Sequence, residues 1–237
     1  MTESTAVKTG FSLPLAVKMV MIDLDGTLIN SAPDLAASAN RMLEALDMPT
    51  YETKQVAQWI GNGVSRLVKR ALTGEMNAEP DPELYERGYK VFLEAYGELV
   101  SDQSRPYPGV VEGLKKLQAA GFQLACITNK AEAFTVPLLK DLDLYKYFKL
   151  VISGDTLAKK KPDPLPLLHA CEYFGITPDH GVLIGDSIND TQAARNAGMP
   201  VLLVPYGYNR GQDVRELEPE AVIQTLEEAT EYLTLYS

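Results

Sequence analysis

Cysteine is scarce in this chain: Cys126 and Cys171 are the only two among 237 residues. Both lie in apolar runs without metal-like spacing. That excludes a disulfide framework, and they read as reduced core residues of a cytoplasmic protein, with no disulfide expected between them. Long apolar runs are missing too. Pro14 and Lys18 interrupt the most apolar early stretch, so no segment reaches the length of a membrane span. Met1 to Pro14 lack the basic start and uninterrupted apolar centre of a signal peptide and are expected to form a frayed tail. Internal repeats and low-complexity tracts are absent. Positive charge is in deficit, with 22 Lys and Arg against 32 Asp and Glu and a net charge of −10. Nucleic acid and anionic membranes are therefore disfavoured as partners, because counterion release needs clustered cations. Small anions stay open wherever cations gather locally.

What is present is an ordinary soluble composition, 46% hydrophobic and 23% charged, in a chain long enough for one large or two modest domains. It is organised around Val17-Lys18-Met19-Val20-Met21-Ile22-Asp23-Leu24-Asp25-Gly26-Thr27-Leu28. An apolar run ending in two carboxylates and a glycine predicts a buried strand that stops in a polar turn. Residues two apart on an extended chain point the same way, so Asp23 and Asp25 face one small volume beyond the strand end. Acids that close repel unless a cation lies between them. Taken alone, the stretch reads as a strand followed by a solvated acidic turn.

Asn30 and Ser31 are expected to cap a helix with Leu35, Ala39, Met42, Leu43 and Leu46 on one face. Thr53 to Trp59 predicts a short helix, Gly61-Asn62-Gly63 a break, Val64 to Leu72 a second helical face, and Pro82 to Val100 a longer helix. No strand is expected between Ser31 and Gln103. This predicts a helical insertion over 31–103, with 1–30 and 104–237 forming the core. From Arg105 the pattern alternates. Strands are predicted at Gln123 to Ile127, Lys149 to Ile152, Val182 to Ile184 and Val201 to Val204, with helices at 110–120, 131–142, 165–174 and 191–197. Such alternation implies an α/β fold: a doubly wound, Rossmann-like parallel sheet with its strand ends along one edge.

That edge collects Asp23 and Asp25, Thr128, Lys161 from a loop, and Asp186 with Asp190. The set suits phosphoryl transfer. A phosphate ester is dianionic at neutral pH, so attack by a carboxylate needs a hard cation and a lysine to screen it. Mg²⁺ prefers oxygen ligands and takes one or two carboxylates besides a phosphate oxygen, which matches an acid-rich edge.

In order, Asp23-Leu24-Asp25-Gly26-Thr27-Leu28, Thr128, Lys161-Pro162 and Gly185-Asp186-Ser187-Ile188-Asn189-Asp190 resemble the four motifs of the haloacid dehalogenase superfamily of phosphohydrolases. The helical stretch resembles the cap that one branch inserts after its first strand. Trp59-Ile60-Gly61-Asn62-Gly63, Ile127-Thr128-Asn129-Lys130, Lys161-Pro162-Asp163-Pro164 and Tyr206-Gly207-Tyr208-Asn209 narrow the resemblance to bacterial members that hydrolyse 2-phosphoglycolate. The resemblance implies a Mg²⁺-dependent phosphomonoesterase working through an aspartyl phosphate. It makes Asp23 the nucleophile, and Asp25 the group that protonates the leaving alkoxide and then takes a proton from water. Asp23, the Asp25 backbone carbonyl and Asp186 would ligate Mg²⁺, with Asp190 supporting them through water or from behind. Thr128 would hold a phosphoryl oxygen, Lys161 would neutralise the nucleophile and developing charge, and Asn129 would contact the substrate. In the cap, Gly61-Asn62-Gly63 would lead into a helix whose free N–H groups meet the substrate's carboxylate. Arg66, Lys69 and Arg70 could add positive charge there, but helical spacing cannot put all three on one face.

Plainer readings stand beside these. Thr128 could cap a helix, Asp190 could be a helix-start acid favoured by the dipole, and the Gly61-Asn62-Gly63 stretch could be a connector. Lys159 and Lys160 read as solvated, Trp59 as insertion core, Tyr206 to Asn209 as a turn, and His169 and His180 as ordinary surface or core residues. The expected partner is a small phosphorylated metabolite; a homodimer is left open. Another small ester, such as a sugar phosphate or pyrophosphate, and a sugar phosphomutase are the alternatives. A phospho-accepting receiver module is shorter and lacks a large helical insertion.

Overall fold

The structure, a computed structural model, describes residues 11–236. Most of the tail expected over Met1 to Pro14 lies outside them. The chain opens with β1 (Leu15–Val17), β2 (Met19–Ile22) and β3 (Ile29–Asn30). Helices α1 (Ala32–Ala45), α2 (Thr53–Ala57), α3 (Val64–Thr73) and α4 (Pro82–Leu99) follow without a strand between them. After β4 (Arg105–Pro106) come α5 (Val110–Ala119), β5 (Gln123–Ile127), α6 (Glu132–Asp141), β6 (Leu150–Ile152) and α7 (Leu165–Phe174). The chain ends with β7 (Gly181–Gly185), α8 (Ile188–Ala197), β8 (Val201–Leu203), β9 (Ala221–Val222) and β10 (Leu233–Leu235).

The central sheet has six parallel strands in the order β6-β5-β2-β7-β8-β9. β2 lies in its middle, with every residue buried, and its side chains alternate between two cores. Val20 and Ile22 join the core that contains the insertion helices and α5; Met19 and Met21 join the one beneath α7 and α8. A strand buried on both faces is what a near-continuous apolar run forms in a parallel sheet. The chain passes from β2 to β5 and β6 on one side, then returns to β7 on the other. β2 therefore flanks the switch point where such sheets place their ligands.

The insertion leaves and re-enters through two antiparallel links, with Ile29 opposite Pro106 and Asn30 opposite Arg105. Asp34, fully buried in the first turn of α1, ties this junction together. Its oxygens accept from the Gln103 and Ser104 amides at 2.8 Å each and from Ser104 Oγ at 2.6 Å.

The structure departs from the sequence reading at several places. The opening strand is broken at Lys18, and β1 leaves the central sheet to pair with β10; its alternation of buried Leu15 and Val17 with exposed Ala16 suits a half-buried ribbon. The α1 start is not capped by Asn30 or Ser31. The Tyr208 hydroxyl oxygen, from a distant turn, accepts from the Ser31 and Ala32 amides at 2.8 Å each, which frees Ser31 Oγ for Asp25. Helix α8 begins at Ile188 rather than Thr191, because Ser187 and Asp190 form a capping box.

Candidate active site

The parallel register brings the chemistry to one place. Ile22 of β2 lies beside Cys126 of β5 and Ile184 of β7, so the residues just beyond these three positions emerge together: Asp23 one place on, Thr128 and Asp186 two places on. Carboxylate oxygens of Asp23, Asp186 and Asp190 lie within 4.8 Å of one another. Lys161, buried in the loop after β6, bonds Asp23 at 2.9 Å and Asp190 at 2.6 Å. One buried lysine thus faces three acids, and the charges do not balance. Burial, opposed by Lys161 and reinforced by Asp190, pushes the Asp23 carboxyl from 3.8 up to about 7. Burial and the neighbouring Asp190 and Asp23 likewise raise Asp186. Burial opposes the charge on Lys161, but Asp190 and Asp23 outweigh it and its ammonium is held above the ordinary value.

This imbalance is the structural test of a cation, and the donor set passes it. The oxygens are hard, buried and electrostatically short of positive charge, as a Mg²⁺ or similar site requires. Asp190 is the least available of the three. Its Oδ1 accepts from Lys161, and its Oδ2 accepts from the amide and hydroxyl of Ser187 at 3.1 and 2.7 Å. Asp190 is thus an acid of the first turn of α8 and at the same time a partner of Lys161. Asp186 is fixed by the amide of Tyr208 at 2.5 Å, and a Cβ on Gly207 would overlap both Asp186 and the Gly26 carbonyl. The Tyr206 to Asn209 turn is therefore built against the acids.

Asp25 points to the same cleft but belongs to a separate group. Lys130 Nζ donates to its two oxygens at 3.0 and 3.1 Å, and Ser31 Oγ donates to Oδ1 at 2.6 Å. Lys130 is buried; that opposes its charge, but Asp25 and Tyr96 outweigh the effect and raise its pKa. Thr128 is buried, lines the cleft, and accepts from the Lys130 amide at 3.2 Å.

The insertion closes the other side of the cleft, with Leu35, Ile60, Val64 and Leu67 facing the acids. The Gly61-Asn62-Gly63 loop is bonded to the core. Asn129 and Asn189 donate their side-chain amides to the Gly61 carbonyl at 3.0 and 3.2 Å, and Lys160 donates to the Asn62 carbonyl at 3.0 Å. Arg210 reaches Asn62 Oδ1 at 3.1 Å. Gly63 opens α3 without a side-chain cap, which leaves the first N–H groups of that helix for another acceptor. The cations expected from α3 are engaged elsewhere. Arg66 and Lys69 pair with Glu79, while Arg70 is buried against the Trp59 and Met76 carbonyls and Asn62 Oδ1.

Asp23, Asp25, Thr128, Asn129, Lys161, Asp190, Gly61 and Gly63 all line this cleft, with Asp186 immediately behind. Asn62 turns its side chain to Arg70 and Arg210. Sequence reasoning missed Lys130, Ser31, Asn189 and Arg210; Lys160 is exposed as expected, but its ammonium also reaches the Asn62 carbonyl. Lys130 and Asn189 sit inside motifs already singled out; Lys160 and Arg210 carry no local signal because their contact is with the distant insertion. Trp59 is insertion core, edge-on to Tyr51.

Comparison with known proteins bears on the same residues. The family model of haloacid dehalogenase-like hydrolases matches 20–204. A relative from Thiobacillus denitrificans, named phosphoglycolate phosphatase, is 60% identical over 94% of this chain and 98% of its own length. One of the same name from Nitrosospira multiformis is 53% identical over 93% of this chain and 97% of its own. The crystal structure of a predicted phosphoglycolate phosphatase from Haemophilus somnus superposes with a TM-score of 0.86 at 34% identity, covering 91% of this chain and 97% of the other. Among the described residues no helix is long and apolar enough to cross a membrane. An ordered set of acids, threonine and lysine on the central strands, a helical insertion above them and a family match spanning both lead to one conclusion: this chain belongs to the haloacid dehalogenase-like hydrolases.

Proposed function

We propose that this chain hydrolyses 2-phosphoglycolate to glycolate and phosphate in two steps, with Asp23 as the nucleophile. The observation that carries the reading is the Asp23 carboxylate itself, at the centre of the strand-end edge, 2.9 Å from Lys161 and within reach of two further acids. The shared name of the relatives supports the substrate.

Asp23, Asp186 and the backbone carbonyl of Asp25 would hold Mg²⁺, with Asp190 fixing Lys161 behind them. When bound, Mg²⁺ supplies the charge that lets an ionised Asp23 approach a dianionic phosphoryl group. Lys161 neutralises Asp23 and the equatorial oxygens, and Thr128 donates to one of those oxygens. Asp23 attacks phosphorus, the ester bond breaks, and Asp25 gives its proton to the leaving oxygen. Water then attacks the phosphorylated Asp23, Asp25 takes a proton from that water, and the Asp23 carboxylate returns. Residues 31–103 act as a cap, whose loop contacts shut out bulk water. The uncapped start of α3 faces the substrate's carboxylate from above.

Inorganic phosphate release from 2-phosphoglycolate, sugar phosphates and pyrophosphate, with Mg²⁺ and with chelator, tests the reading. Metal-dependent preference for 2-phosphoglycolate supports it. Preference for another ester overturns the substrate and keeps the site; no release from any ester overturns the activity.

A further inference from the structure

Lys130 stands outside the groups that the reaction above uses, yet it makes the closest contacts to Asp25 of any described cation in the cleft. Its ammonium spans both Asp25 oxygens at 3.0 and 3.1 Å. Its side chain is 2% exposed and that of Asp25 14%, so the pair is nearly sealed from water. The ammonium also lies 4.8 Å from the centre of the Tyr96 ring, which α4 of the insertion packs against Phe134 of α6, ring centres 4.8 Å apart. A cation over a buried aromatic face is attracted by the ring quadrupole. Lys130 is thus fixed from below by an aromatic floor and from above by the carboxylate. Ser31, on the link into α1, bonds only Oδ1. With Oδ1 held from two sides, Oδ2 is the oxygen with the smaller set of partners.

We propose that Lys130, seated on Tyr96, is the positioning residue for the proton-transfer group: together with Ser31 it locks the Asp25 carboxyl plane so that Oδ2 faces the reacting oxygen. The inference rests on the assignment of Asp25 as acid and base. In the first half-reaction the bond from phosphorus to the ester oxygen breaks as the Asp23 oxygen bonds to phosphorus, and the Asp25 proton passes to the departing oxygen. In the second, the oxygen of water bonds to phosphorus, its proton passes to Asp25, and the bond between phosphorus and Asp23 breaks. Loss of Lys130 therefore slows both halves with 2-phosphoglycolate. Acetyl phosphate separates them, because acetate leaves as a stable anion and needs no proton, whereas hydrolysis of the phosphorylated enzyme still needs the base.

The experiment is acid-quench measurement of phosphorylated enzyme, with steady-state turnover, in wild type and Lys130→Met. With 2-phosphoglycolate, kcat is expected to fall by about a hundredfold, within the range for a positioned acid–base group, while KM moves less than about threefold. With acetyl phosphate, phosphorylated enzyme is expected to form at nearly the wild-type rate and then accumulate in the variant, because its breakdown is slowed. Equal slowing of formation from both donors, or breakdown at the wild-type rate, overturns the proposal. If Lys130→Met does not fold, Ser31→Ala and Tyr96→Leu must each slow breakdown by at least about threefold and spare formation from acetyl phosphate; wild-type breakdown in either overturns it as well. Failure of wild-type protein to turn over any ester strikes the catalytic assignment itself. Active wild type with an unaltered Lys130→Met strikes only the role of Lys130.

Discussion

Asp34→Asn and Asp34→Ala probe whether the junction of insertion and core is held as the structure describes. The wild-type carboxylate receives three hydrogen bonds, all between 2.6 and 2.8 Å, in a position with no solvent exposure. Each hydrogen bond to a charged group contributes about 1.5–3 kcal/mol, and removing the acceptor leaves the amide and hydroxyl of buried Ser104 without that partner, while the Gln103 amide belongs to an exposed residue. Relief of the carboxylate's own desolvation offsets part of that loss, so Asp34→Ala is expected to destabilise by about 3 kcal/mol. Asparagine keeps the shape and one oxygen. That oxygen can serve the two donors of Ser104, but its NH₂ then meets the Gln103 N–H, donor against donor, so about 1–2 kcal/mol is expected. Equilibrium urea unfolding at constant Mg²⁺ measures both values. The same variants should raise KM more than they lower kcat, because the insertion is less firmly oriented over an intact strand edge. The reasoning is refuted if both variants lie within about 0.5 kcal/mol of wild type, the range of an ordinary surface substitution.

Three further outcomes follow from the site. Asp23→Asn should abolish turnover and also alter the pH dependence of stability. A carboxyl whose folded pKa is raised from 3.8 to about 7 contributes most below its unfolded value, and that contribution is lost as pH rises through about 7. Chelated wild type should therefore weaken as pH rises from about 4 to 7, and Asp23→Asn should be flatter in thermal melts; parallel curves contradict it. Gly207→Ala forces a methyl into Asp186 and the Gly26 carbonyl and is expected to cost about 1–3 kcal/mol and weaken Mg²⁺ binding by titration, whereas unaltered affinity would contradict the packing. Asn189→Ala removes one of the bonds holding the Gly61 carbonyl and should raise KM for 2-phosphoglycolate by roughly three- to tenfold with little change in melting temperature. An unchanged KM would remove Asn189 from the closing contacts.

The fold was largely legible because its signals are local. Apolar runs ending in polar turns marked β2, β5, β6, β7 and β8, and the parallel register then brought Asp23, Thr128 and Asp186 together without further assumption. What escaped depends on residues far apart in sequence. No local pattern indicates that Tyr208 caps α1, that β1 pairs with β10 instead of extending β2, or that Lys160 and Arg210 reach the Gly61-Asn62-Gly63 loop. Lys130 is the instructive case. It lay inside a quoted motif without a role of its own, and only the fold buries it between Asp25 and Tyr96. Arg70 is the converse: a helix cation that looked available for substrate is turned inward to backbone carbonyls.

The central claim is that Asp23 becomes phosphorylated during turnover. The direct measurement is rapid acid quenching of enzyme turning over 2-phosphoglycolate with Mg²⁺, borohydride reduction of any acyl phosphate, and peptide mapping of the reduced residue. Reduction confined to position 23, and absent from Asp23→Asn, is the predicted result. Turnover with no trapped acyl phosphate, or reduction at a different acid, would contradict it.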